Sequence, residues 1–228
     1  MAISLVATAS ANGATGNVSI THGFTIKSGD VIIALINGNG AGQTTTDNNG
    51  STQFTAADSA ANPDSATAYI FQRICTGSEP ASYAFTQGSS GRWSIILRQY
   101  QGVDAAVWDV APAAGNRATG LAAATATAPS ITISTIGSVG LVLLGDDWAP
   151  TTTTYTSNNN GYSNAKSQSG QQYAVTLDKF SLPVGATGET IVTSSGWVSY
   201  VIWQCALKPA LEKKIININQ AVSRAATY

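Results

Sequence analysis

The chain has 228 residues, 10% of them charged, and a formal net charge of −1. A scattered set of 11 basic residues makes no electrostatic footprint for a polyphosphate, which excludes nucleic acid as a partner class. No apolar run approaches the ~20 residues that a membrane helix needs, so membrane association is not expected.

The first eleven residues, Met1 to Ala11, are short on apolar length and carry no basic group. They read as an N-terminal strand rather than a signal peptide. From there, β-branched and aromatic runs alternate with Gly, Asn, Ser, Thr and Pro clusters at short spacing, which is the signature of strands and turns. Strands are expected at 3–8, 17–21, 30–36, 52–56, 67–75, 82–86, 93–101, 130–134, 139–145, 152–156, 171–179, 189–193 and 197–207. Helical periodicity is not sustained anywhere between residues 12 and 209. The strands opening on Trp93 and Trp197 carry apolar residues on both faces, so both are expected to be central and covered on each side. Three stretches read as polar loops: 37–50, 111–127 as the connection between halves, and 151–161.

A pattern repeats along the chain. Phe24-Thr25-Ile26, then Val31 to Leu35, then Ser89-Ser90-Gly91 and the Trp93 strand are matched by Ile131-Thr132-Ile133, Val139 to Leu144, Ser194-Ser195-Gly196 and the Trp197 strand. The period is about 105 residues, and it points to two similar β-rich halves of one sandwich. The expected architecture is an all-β, jelly-roll-like antiparallel β-sandwich domain over 1–209, with halves at about 17–109 and 127–209. A C-terminal arm, 210–228, follows.

Little in this framework offers chemistry. His22 is the sole histidine and sits at a strand end. No nucleophile elbow, phosphate-cradling glycine loop or buried carboxylate pair stands out. No catalytic residue, metal ligand or cofactor is expected, and Cys75 and Cys205 read as small buried hydrophobes, with a disulfide left open. The acidic pair Asp146-Asp147 beside Trp148, together with Trp108, forms a candidate ligand loop, since carboxylates bind hard cations and indole faces stack on sugars. In the arm, Lys213, Lys214, Ile216, Ile218, Arg224 and Tyr228 are candidates for partner contact, because an Ile-Asn alternation adds readily to a foreign sheet edge.

The strings Ser78-Glu79-Pro80-Ala81-Ser82-Tyr83-Ala84-Phe85-Thr86 and Tyr100-Gln101-Gly102-Val103-Asp104, with Gly29-Asp30-Val31 upstream, resemble a β-sandwich module of phage head-decoration, tail and fibre proteins. The likeness covers roughly 17–145 and carries no catalytic residue. It implies a virion role without choosing among these; the location expected for this chain is the outer surface of a bacteriophage capsid. The expected role is a capsid decoration (cement) protein, a structural homotrimer binding the major capsid protein. The competing expectation is a carbohydrate-binding module or the receptor-binding tip of a tail fibre.

Overall fold

The computed structural model describes residues 1–15, 17–39, 45–47, 54–61, 66–88, 91–113, 116–147, 155–168 and 172–211. Among them every regular element is a strand. The first half holds β1 (Ser4–Gly13), β2 (Val18–Thr21), β3 (Val31–Asn39), β4 (Thr45–Asp47), β5 (Thr55–Ala61), β6 (Ala66–Ile74), β7 (Ser82–Gln87) and β8 (Trp93–Gln101). β9 (Val103–Val110) then leads to the second half. That half holds β10 (Asn116–Ala128), β11 (Thr132–Ile133), β12 (Ser138–Asp147), β13 (Tyr155–Asn158), β14 (Ser163–Gln168), β15 (Gln172–Leu182), β16 (Gly185–Ala186) and β17 (Thr190–Pro209).

The strands of the first half pair in nested fashion: β1 with β8, β2 with β7, β3 with β6, all antiparallel. This is jelly-roll winding. It yields a large sheet ordered β1-β8-β3-β6-β5 and a small one ordered β2-β7-β4. The second half repeats the large sheet as β10-β17-β12-β15-β14. Here two strands run straight through turns that the first half makes. The end of β10 pairs with the start of β17 (Ala126 with Val192), as β2 pairs with β7, while its beginning pairs further along β17 (Thr119 with Ser199), as β1 pairs with β8. β13 joins the start of β17 as β4 joins β7.

The expected all-β sandwich of two similar halves is thus present, and each half is itself wound as a jelly roll. The large sheets pack face to face. Along β3, Val31, Ile33 and Leu35 belong to the core between halves, while Ile32, Ala34 and Ile36 belong to the core under the first small sheet. Along β12 the division repeats: Val139, Leu141 and Leu143 face the other half, and Val142 and Leu144 face inward to their own. Side chains alternate across a strand, so apolar residues at every position require cover on both sides. That condition makes β3, β8, β12 and β17 central.

The sequence reading departs from the structure in the polar segments. The 111–127 stretch, expected as a loop, becomes β10 from Asn116 onward, an edge strand of Ala, Thr and Gly. Part of the 37–50 stretch extends β3 to Asn39 and forms β4, while the strand expected at 152–156 is described as β13 over Tyr155–Asn158. β9, β14 and β16 were not anticipated. β14 is wholly polar apart from Ala165, carries Lys166 and a register shift, and sits at the sheet edge. Charge and irregular pairing are how edges avoid sticking to other sheets, and they also remove the apolar alternation that marks a strand.

Between the large sheets lies a buried ionic cluster. Arg98 of β8 donates from Nη1 to Asp178 Oδ2 of β15 at 2.7 Å and from Nε to Thr176 Oγ1 at 2.7 Å. Its Nη2 donates to the carbonyls of Thr176 and Asn164. Asn164 stands at φ 48°, a left-handed conformation that Asn tolerates better than most residues. Tyr100 OH and Asn164 Nδ2 complete the shell around Asp178, at 3.2 Å and 2.7 Å. Burial nonetheless keeps the Asp178 carboxyl above its ordinary pKa, against the pull of Arg98 and the hydrogen bonds. In the reverse direction, Trp203 Nε1 of β17 donates to Asp58 Oδ2 of β5 at 2.8 Å. Both halves therefore hold each other through polar as well as apolar contacts.

Arg98 and Asp178 side chains are 2% and 0% exposed, so removing one charge strands the other. Arg98→Met is expected to cost about 3–5 kcal/mol in urea unfolding. The double variant Arg98→Met/Asp178→Leu is expected to recover most of that loss, since an apolar pair needs no desolvation. Equal losses in single and double variants would contradict this account of the seam.

Candidate functional site

Asp146 and Asp147 lie in β12, not in a loop. Their carboxylates are buried, and successive positions on a strand point to opposite faces, so the two do not converge. Asp146 Oδ1 accepts the backbone N–H of Ser199 at 3.0 Å, fixing β17 against β12. Asp147 Oδ1 accepts Gln172 Nε2 at 2.8 Å, and Gln172 Oε1 in turn accepts Asn37 Nδ2 of the first half at 3.2 Å. The same Asn37 amide reaches the carbonyls of Asp146 and Tyr173. This approach needs a bare backbone at Gly145, where a Cβ would stand 2.8 Å from the Ala68 methyl. The acidic pair is therefore part of the joint between halves. Trp108, in β9, is half-buried, and packs against the inter-half core. Trp148 lies outside the described residues, as do Lys213, Lys214, Ile216, Ile218, Arg224 and Tyr228 of the arm.

The other reactive residue types are likewise tied down. His22 Nε2 donates to Pro80 O at 2.8 Å and Nδ1 accepts Phe24 N–H at 3.0 Å, with the ring stacked 4.9 Å from Tyr83. Burial lowers its pKa against the opposing effects of the Pro80 carbonyl and Glu79, consistent with a neutral ring. Glu79 caps the turn after β6: its carboxylate accepts Thr76 and Gly77 N–H and Arg73 Nη2 at 2.7, 2.9 and 2.9 Å. The Glu-Pro-Ala-Ser-Tyr string is thus a turn-setting device. Cys75 and Cys205 are free thiols in separate cores, Cys75 under the first small sheet and Cys205 between the halves. Burial pushes the Cys75 thiol up to about 12 and raises that of Cys205 as well, so neither is a thiolate at neutral pH. Among the described residues no cluster of three His, Cys, Asp or Glu is placed to hold a metal ion.

Two concave features are bordered by described residues. One is a groove of about 350 Å³ at the end of the body where both described chain ends meet, bordered by Met1, Lys27, Asp30, Gln101 and Ala210. The Met1 ammonium donates to Ala210 O at 3.0 Å, and Ala210 N–H to Gly102 O at 2.8 Å. The other is a smaller cleft of about 90 Å³ in the second half, between Lys179 and Tyr162 on one side and Leu182 and Pro183 on the other. Sequence reasoning did not find this cleft. Its one signal was Lys179, a lone cation in the otherwise largely apolar β15.

No protein family matches this chain, and neither a curated protein nor a solved structure does.

Two measurements check these assignments. Neither thiol is expected to react with a disulfide reagent in the native protein, whereas both react in denaturant; fast native labelling of one would place it wrongly. Asp109 gives a pH test. Burial would raise its carboxyl, but hydrogen bonds from the hydroxyls and N–H groups of Ser134 and Thr135 outweigh it and hold the pKa at about 2 instead of 3.8. A depressed carboxylate stabilises the fold above its unfolded pKa, and that stability fades as pH falls from 3.8 toward 2. Asp109→Asn should therefore flatten the stability profile in that window while lowering stability at pH 7.

Proposed function

We propose that this protein is a phage capsid decoration protein, a non-catalytic homotrimer that binds the major capsid protein on the outer surface of the shell. The observation that carries the reading is the joining of both described ends of the chain at one pole of a rigid double jelly roll, through Met1 N to Ala210 O. Residues beyond Leu211 start from that pole, so the arm 210–228 is rooted beside the groove and the N-terminus. β3 and β12 run away from the same pole.

Jelly rolls are a common building unit of capsid and lectin domains, which fits the reading without choosing it. A chain with only 10% charged residues suits broad hydrogen-bonded contact with neighbouring subunits. An oligomer engaging several shell subunits gains from each later contact being intramolecular, so weak individual contacts suffice. The carbohydrate-binding alternative draws no support from Asp146 or Asp147, whose carboxylates are spent inside the fold.

The test is the solution mass of the full chain and of a 1–211 truncation, by light scattering after gel filtration. With a subunit of 23.4 kDa, a trimer of about 70 kDa that collapses to monomer on truncation, with unchanged circular dichroism, is the expected result. A full chain that stays monomeric even in the presence of undecorated shells overturns it.

A further inference from the structure

The two halves share a frame, and the small cleft lies where they diverge. The frame is anchored at the turn opening β3 and β12. Gly29 (φ 86°) and Gly137 (φ 84°) hold the same place, and the turns close through Asp30 N–H to Lys27 O and Ser138 N–H to Thr135 O. From there the pairings correspond. Ile32 pairs with Arg73 and Gln99, and Gly140 pairs with Lys179 and Ala206; Ala34 pairs with Leu97, and Val142 with Gln204.

Three of these correspondences bear on the cleft. A fully buried Ile32 gives way to Gly140, which vacates side-chain volume next to β15. A buried Leu97 gives way to Gln204, polar yet 4% exposed. Arg73, ion-paired with Glu79 at 2.9 Å, gives way to Lys179, which meets no carboxylate among the described residues. The tyrosine hydroxyl of Tyr162 fills part of the space, for a Cβ on Gly140 would lie 2.6 Å from it. What is left is the cleft of about 90 Å³.

The amide donors around the cleft are already committed. Gln204 Nε2 donates to Tyr162 OH at 2.9 Å and to Thr187 Oγ1 at 2.8 Å, while its buried Oε1 has no partner. Asn160 Nδ2 donates to Glu189 O and Thr190 Oγ1. The Lys179 ammonium has three N–H donors, and one goes to Asn160 O at 2.7 Å. An uncommitted cation thus faces an apolar wall of Leu182, Pro183 and Ala186. One ammonium, with the Tyr162 hydroxyl as the only other nearby donor among the described residues, suits a singly charged anion rather than a phosphate dianion. A volume near 90 Å³ equals about three waters of bulk liquid, which suits a short stem.

We infer that the cleft binds a short-chain carboxylate, the carboxylate on Lys179 Nζ and the alkyl stem against Leu182 and Pro183. The inference stands apart from the shell-binding reading. Free small acids and glutamate side chains of a partner offer the same chemistry, so the test uses both: propionate, and a Glu tripeptide blocked at each end. Each is titrated into the ¹⁵N-labelled full chain and followed by amide chemical shifts.

Saturable shifts confined to residues around Tyr162, Lys179, Ala186 and Thr187 are expected with propionate and absent with neutral propionamide. A response to the tripeptide of similar strength assigns the site to a partner side chain, and its absence assigns it to a free acid. Lys179→Met should weaken binding about tenfold or more. Ala186→Trp, on the exposed rim, should block it with the lysine in place. Shifts of equal size with propionamide, shifts that survive both variants, or unsaturating shifts spread over the surface would overturn the inference.

Discussion

Neither half of this protein can satisfy its own large sheet. Val31, Ile33, Leu35, Ile70 and Ile96 on one side, and Leu141, Leu143, Val201, Trp203 and Leu207 on the other, are buried only because the two sheets cover each other. Removing such a side chain from water stabilises by about 1.5–3 kcal/mol, so a half standing alone would forfeit a dozen or so contributions of that size. The two halves therefore share one core. Polar groups caught in the seam are costly unless paired, and Arg98, Asp178, Trp203, Asp58 and the Asn37 Nδ2 group find partners across the joint.

The seam also explains which residues the two halves share and which they do not. Strand register in the large sheets is held from both sides, and a slip by one residue would turn every inner side chain outward. The large sheets therefore correspond strand by strand. The outer faces and turns are under less constraint and have diverged. The first half pins its turns with Glu79, Asp30 and His22. The second ties its own with Asp109 and leaves a cleft where Gly140 replaces Ile32.

The arrangement gives the molecule a mechanical character. Its core strands are long, doubly covered and cross-linked by charge, while the described ends of the chain are fastened together at one pole. A block of that kind transmits load from one attachment region without deforming, because close-packed interiors yield little.

What the sequence determined by itself was whatever could be read from local alternation and repetition. Apolar residues at successive positions marked β8 and β17 as doubly covered, and the matching Ser-Ser-Gly and Trp strings revealed two like halves. β10 and β14 stayed hidden because their Ala, Thr, Ser and Asn residues carry no alternation; pairing with a formed neighbour, not their own pattern, makes them strands. Asp146 and Asp147 looked like a loop because free carboxylates resist burial. Only the folded partners Ser199, Gln172 and Asn37 supply the hydrogen bonds that let them sit inside. The cleft at Lys179 is likewise a tertiary product. It arises from a missing side chain, an uncommitted charge and an apolar wall drawn from β12, β15 and the β15–β16 turn, and proximity between distant segments is decided by packing, not by local sequence.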